Sequence, residues 1–225
     1  MTLEARLAAV DERIVDAARA AGRAPADITR IVVTKFHPAS LIRDLAALGV
    51  RDVGENRQQE LTAKHGECAD ADVAWHFIGQ AQTKKARAIR RAATVVHSVD
   101  RDRLVDALDA AAESDELLPV LMQINLTPDP QRGGVAADDI ERLAERIAAA
   151  PTLALRGVMA VAPLDEEPAS AFERLAGYSE SVRRVAPEAT WISAGMTADF
   201  REAIAHGATH LRIGTAITGQ RPQEA

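Results

Sequence analysis

Two hydrophobic periods share this chain. Leu3, Leu7, Val10 and Ile14 fall at i, i+4, i+7 and i+11, one stripe of a helix. That helix is expected to end near Gly22, with Pro25 as a stop signal. It gives residues 1–24 the role of an extra N-terminal helix packed on whatever follows. Beyond it, short apolar runs alternate with helix-like segments. The runs Ile31–Thr34, Arg51–Gly54, Ala74–Gly79, Thr94–His97, Pro119–Asn125, Leu153–Val161, Thr190–Ser193 and Thr209–Ile213 read as eight strands. Several are unbroken apolar runs, as expected of strands covered on both faces.

Between them, Pro38 opens a helix through Leu48, closed by Gly49, and another starts at Asn56. A Lys/Arg/Ala helix runs to Arg91. Further helices are expected over about 101–113, 136–150, up to Val185, and 199–206. Eight β/α units in 225 residues predict an α/β fold, a (β/α)8 TIM barrel, formed by a single domain over 1–225. An open doubly wound sheet is the competing arrangement.

Composition narrows the function classes. A net charge of -6 and a pI near 5.6 argue against a nucleic-acid partner. No apolar run has the length of a membrane span. The segment MTLEARLAAVDERI carries acids early and predicts neither a signal peptide nor a transit peptide. The single cysteine, Cys68, reads as an incidental thiol and excludes an intrachain disulfide, which makes the cytoplasm the expected compartment. No His/Cys/Asp spacing suggests a metal.

A barrel carries its chemistry at the C-terminal ends of its strands. There the sequence places Lys35 after strand 1, Gly54-Glu55-Asn56 after strand 2, Ser193-Ala194-Gly195-Met196-Thr197 after strand 7 and Arg212-Ile213-Gly214-Thr215 at strand 8. A lysine in partly apolar surroundings favours its neutral amine, the form that attacks an aldehyde. Small residues leading into a helix can bring backbone N–H groups to an anion, and Ser193 and Thr197 add hydroxyls. Strands 1 and 8 are neighbours in a closed barrel. A ligand with both a phosphate and an aldehyde would satisfy the two ends. The bland alternatives are a lysine reaching solvent, and Thr197 capping its helix.

The segments VTKFHPAS (33–40), GENRQQE (54–60), WHFIGQAQTKK (75–85), QIN (123–125), RGVMAV (156–161), SAGMTADFREAI (193–204) and RIGTAITG (212–219) resemble, in the same order, the YggS/PROSC family of pyridoxal phosphate homeostasis proteins. The resemblance implies the barrel of the alanine racemase N-terminal domain without that enzyme's second domain. It implies pyridoxal 5′-phosphate (PLP) as cofactor, held as a Schiff base, an internal aldimine, on Lys35. It places Ser193, Gly195, Met196, Thr197, Gly214 and Thr215 around the phosphate, Arg212 at the pyridine nitrogen and Asn56 near the ring. The chain departs from the family pattern at Phe36-His37, Arg57, Ala81–Lys85 and Thr218.

Function then divides three ways: a PLP carrier serving intracellular homeostasis with little turnover, a PLP-dependent amino-acid racemase-like enzyme, or a lysine aldolase acting on a sugar phosphate. An arginine at the ring nitrogen cannot release a proton to it and weakens the ring as an electron sink. A two-base racemase also needs a group on the face opposite Lys35. The one tyrosine, Tyr178, belongs to the long sixth helix, away from the mouth. The carrier reading is favoured, with PLP and apo PLP-dependent enzymes as partners and a monomer or weak dimer as the assembly. His76 is expected to be packed or hydrogen-bonded, and the cationic run Lys84–Arg91 to be a solvated helix face.

Overall fold

All eight apolar runs form strands. They are Thr29–Val33 (β1), Asp52–Glu55 (β2), Ala74–Phe77 (β3), Val95–Val99 (β4), Leu118–Gln123 (β5), Leu153–Met159 (β6), Trp191–Ser193 (β7) and His210–Ile213 (β8). In the computed structural model they pair in parallel and in chain order, and β8 pairs with β1 to close the barrel. The open-sheet alternative is thereby excluded. The structure describes residues 1–129 and 131–220. Residues 221–225, within the expected domain limits, lie outside them.

The helices are Leu3–Ala20 (α1), Ala39–Ala47 (α2), Gln58–Glu67 (α3), Ala86–Ala92 (α4), Asp102–Asp109 (α5), Ile140–Ala148 (α6), Pro168–Val185 (α7), Phe200–Ala205 (α8) and Thr215–Thr218 (α9). Several start later or end earlier than their apolar periodicity suggested. α5 stops at Asp109, and α8 starts at Phe200. The short α9 follows β8 directly and was not expected.

The main core fills the space between strands and helices. Low aromatic content is made up by Val, Leu, Ile and Ala, such as Val32, Ile42, Leu45, Leu104, Leu143 and Ile204, all buried. Inside the barrel, Val95, Leu121 and Met159 pack with Trp191. β6 bulges against β5 beside Gly157, whose φ is +153°. A Cβ there would stand 1.8 Å from the Trp191 carbonyl oxygen, so only glycine lets β6 and β7 pair.

The α1 stripe lies on the barrel wall as expected. Leu7, Val10 and Ile14 are buried, and the helix packs on α8 and α9. Arg6 Nε donates to the Ile217 carbonyl at 2.6 Å, and Arg23 donates to the carbonyls of Ile204 and Ala208. One surface expectation fails. Arg90 is half-buried rather than fully solvated and donates to the carbonyls of Leu108, Glu116 and Thr152, tying α4 to three neighbouring segments. Arg87 and Arg91 share Glu113. No helix among the described residues is long and apolar enough to cross a membrane.

Candidate functional site

Successive side chains on a strand alternate between faces. Ile31 and Val33 approach Gly54 from across the lumen side, and a Cβ on Gly54 would meet both. Lys35 continues their parity. Asp52, Gly54 and Asn56 share one parity on β2 and its end, as do His210, Arg212 and Gly214 on β8. The strands themselves thus bring Lys35, Asn56, Arg212 and Gly214 to one mouth, although they lie up to 179 positions apart in the sequence.

Below the mouth runs a polar column whose members are far apart in the sequence. Asp52 Oδ1 meets His76 Nε2 at 2.9 Å, His76 Nδ1 meets His97 Nε2 at 2.9 Å, and His97 Nδ1 meets Ser193 Oγ at 3.0 Å. Arg212 Nη1 donates to both Ser193 Oγ and the Ser193 carbonyl at 2.7 Å, and its Nη2 donates to the Ala160 carbonyl at 2.8 Å. One direction of donation satisfies the whole column. His76 donates to Asp52, His97 to His76, Ser193 to His97, and Arg212 to Ser193. His76 is therefore packed and hydrogen-bonded on both ring nitrogens, as expected.

This column changes the reading of Ser193. Its side chain is fully buried, and its one proton is spent on His97. The Ser193 hydroxyl, expected as a donor to a phosphate, is engaged in this structure by His97 and Arg212. Arg212 is 5% exposed, and three of its five N–H donors are used within the protein. Burial lowers its pKa to about 10, against the opposing charge of Asp199, so it stays cationic at neutral pH.

The buried rings carry a pH consequence. Burial, then the charges of His76 and Arg212, hold His97 well below the usual histidine range, and burial brings His210 down to about 4. Unfolding frees both rings to protonate near pH 6.5, so the unfolded state binds more protons between that value and the folded pKa. Stability should be level above about pH 6.5 and fall steadily toward pH 4. Denaturant unfolding at a series of pH values checks this, and a flat profile over that window would contradict a neutral, buried His210.

At the mouth, Lys35 is the exposed residue that follows the buried run Ile31–Thr34. The Phe36 ring gives it apolar surroundings, with the ring centroid 5.8 Å from Nζ. Asn56 keeps its Oδ1 buried with no partner among the described residues. The β3 loop presses on it, since a Cβ on Gly79 would stand 1.9 Å from the Asn56 carbonyl oxygen. Asn56, Gln80 and Lys85 line one small cavity, which brings the divergent loop Ala81–Lys85 beside the site.

The loop after β7 differs from expectation. Thr197 does not cap a helix. Asp199 precedes α8, which is only six residues long, and its carboxylate accepts the Met196 amide at 2.6 Å. That amide is therefore taken. The amides of Gly195, Thr197, Gly214 and Thr215 donate to no described residue. Gly195 needs its glycine, with φ +90° and Phe200 Cα 2.9 Å from a would-be Cβ. At Gly214 such a Cβ would sit in ordinary contact with Val33, 3.6 Å from its Cβ. Met196 and Thr215 are exposed and Thr197 is half-buried. The buried Glu55 and Lys64 and the half-buried Glu60 form a further cluster beneath Lys35. Its signal was present as the i, i+4 pair Glu60/Lys64 within and just beyond GENRQQE. Among the described residues, no group of three or more His, Cys, Asp and Glu could hold a metal ion.

A closed parallel barrel with a lysine after its first strand and a buried arginine on its last defines a class, the single-domain (β/α)8 barrels whose chemistry sits at the C-terminal mouth. The chain belongs to the family described as alanine racemase, N-terminal domain, which matches residues 6–222. It is 40% identical to the pyridoxal phosphate homeostasis protein of Mycobacterium tuberculosis, over 96% of this chain and 91% of that one. It is 38% identical to the protein of the same name from Pseudomonas aeruginosa, over 98% and 96%. The structure of PipY from Synechococcus elongatus with PLP bound superposes with a TM-score of 0.85 at 32% identity, covering 97% of this chain and all of PipY. Alanine racemase from Corynebacterium glutamicum shares the fold, with a TM-score of 0.68 at 18% identity, and this chain covers 62% of it.

Proposed function

We propose that this chain binds PLP at the C-terminal mouth of its barrel and serves intracellular PLP homeostasis as a carrier with little or no turnover of its own. The observation that carries the reading is the convergence of Lys35, Asn56 and Arg212 on one mouth, in a fold that PipY shares and that was solved there with PLP. When bound, the cofactor supplies an aldehyde and an electron-accepting pyridine ring. Lys35 offers the amine for the aldehyde. Arg212, aimed by Ser193 and His97, faces the ring nitrogen and withholds a proton from it.

The fit is supported by groups that lack partners. Asn56 Oδ1 is a buried acceptor awaiting a donor, a costly state unless a ligand completes it. The amides of Gly195, Thr197, Gly214 and Thr215 and the hydroxyls of Thr197 and Thr215 can take a phosphate. Met196 contributes its side chain at the rim rather than its amide. Residence in the cytoplasm, transfer to apo PLP-dependent enzymes and a monomeric or weakly dimeric state complete the reading. A closed barrel leaves no sheet edge in need of a partner.

Titrating the purified chain with PLP and following visible absorbance tests this function. One equivalent should bind, and inorganic phosphate should compete. Thr197→Ala should weaken binding by roughly 1.5–3 kcal/mol, the worth of one hydroxyl donor to a charged acceptor, without unfolding the chain. Equal competition by phosphate in wild type and variant would move the anion site away from this loop.

A further inference from the structure

The reach of Lys35 depends on the four-residue turn that carries it. His37 N donates to the Thr34 carbonyl at 3.1 Å, so Lys35 and Phe36 are the central residues of a β-turn. Phe36 has φ +67°, and it is the one non-glycine residue with positive φ among the described residues. Such a conformation costs on the order of 1–3 kcal/mol and persists only where the surroundings over-determine it. Here the surroundings are charged and buried. Lys64 Nζ donates to the Thr34 carbonyl at 2.9 Å, the peptide group before Lys35. Phe36 N donates to Glu60 Oε2 at 2.8 Å, the peptide group after it. Lys64 also bonds Glu55 Oε1 at 2.7 Å and Glu60 Oε2 at 3.2 Å, and Thr34 Oγ1 donates to Glu55 Oε1 at 2.6 Å.

We propose that Glu60 and Lys64, backed by Glu55, are positioning residues that hold the turn Thr34–His37 in the strained shape that presents Lys35 to the mouth. Both peptide groups flanking the lysine are gripped by α3, through Glu60 and Lys64. Stability alone does not account for the cluster, because a buried ion pair is often no better than apolar packing. Its members instead meet at the two backbone atoms whose placement aims the lysine. Arg57 adds to the hold from outside, with its Cζ 4.9 Å from the Phe36 ring centroid.

This inference rests on the proposed PLP site, and its test separates the two. Lys64 is buried, and removing it would strand Glu55, so the informative position is the half-buried Glu60. Three full-length proteins are compared: wild type, Glu60→Ala and Glu60→Gln, the last keeping an oxygen acceptor for the Phe36 amide. Each is mixed with PLP, quenched with borohydride at intervals, and the adduct on the Lys35 peptide is quantified. Inorganic phosphate affinity and thermal unfolding are measured alongside. Glu60→Ala should form the adduct at least about tenfold more slowly, the scale expected when a reacting group is misplaced by a fraction of an ångström. Its phosphate affinity should stay within about twofold of wild type, because the anion loops lie elsewhere, and Glu60→Gln should recover most of the rate. Glu60→Ala reacting at the wild-type rate overturns the positioning role. So does equal slowing in both variants with loss of phosphate affinity, which would mean a general loosening. A wild-type chain that forms no adduct on Lys35 sinks the proposed function instead.

Discussion

Lys35→Ala should abolish covalent retention of PLP while leaving the barrel folded. Lys35 is exposed and takes no part in the buried core, so its side chain can be removed without opening a cavity. Borohydride treatment of the wild type, followed by peptide mapping, should place the adduct on Lys35. The rival amines are Lys84 and Lys85, and the second borders the same small cavity as Asn56. An adduct on either, or a variant that still fixes the cofactor, would remove Lys35 from its assigned role. Residual reversible binding in the variant is expected, because the loops after β7 and β8 and Arg212 remain. The loss should therefore appear in the fixed fraction first and in phosphate competition least.

Alanine racemization should be negligible, at least about a thousandfold below a dedicated racemase, as expected when one of two acid–base groups is missing. Tyr178 is on α7, half-buried and packed against the helical core. Its packing against the core assigns it to the outer helical layer, and no tyrosine is placed at a strand end to serve the face opposite Lys35. Arg212 compounds the deficit. It stays cationic at neutral pH even with its pKa lowered to about 10, so with PLP bound as proposed the ring nitrogen would gain no proton from it and a carbanion would be poorly stabilised. Exchange of the alanine α-proton in D2O measures the first part. Reactivation of an apo-aminotransferase after mixing measures the complementary one, and it should be positive. Fast exchange would turn the reading toward an enzyme. Slow exchange without transfer would leave a binding protein with no demonstrated recipient.

The strand order was legible because each strand of this barrel is covered on both faces, and runs such as Ile31–Val33 and Val120–Met122 stand out as unbroken apolar segments. The N-terminal stripe was legible for the parallel reason that Leu7, Val10 and Ile14 keep one helical face buried. Lys35, Asn56 and Arg212 stand out as candidates because they sit at strand ends, where barrels carry chemistry. What stayed hidden was long-range pairing. Ser193 looked like a loop hydroxyl because nothing local says that His97, 96 positions earlier, faces it across the lumen. Asp199 looked like part of a helix, whereas its carboxylate turns back to the Met196 amide. The Glu55–Lys64 cluster reads in sequence as ordinary charge, and only the packing of α3 beneath Lys35 gives it a direction. Arg90 was misjudged similarly, since a cation on a helix face gives no sign that three carbonyls converge on it.

The polar column inside the barrel also bears on how the chain can be divided. It joins β2, β3 and β4 from the first half to β7 and β8 from the second. A fragment ending after β4 would contain Asp52, His76 and His97 but would leave the His97 ring facing an open lumen. A fragment carrying β5 to β8 would hold Arg212 and Ser193 with no ring to complete them. Buried polar groups left half-paired cost more than they return, so neither half has a reason to close alone. Half-barrels are the natural unit in which such folds could be duplicated or recombined. In this chain the seam between them is stitched from the inside, and exchanging one half for that of a relative should succeed only where the incoming half carries matching members of the column.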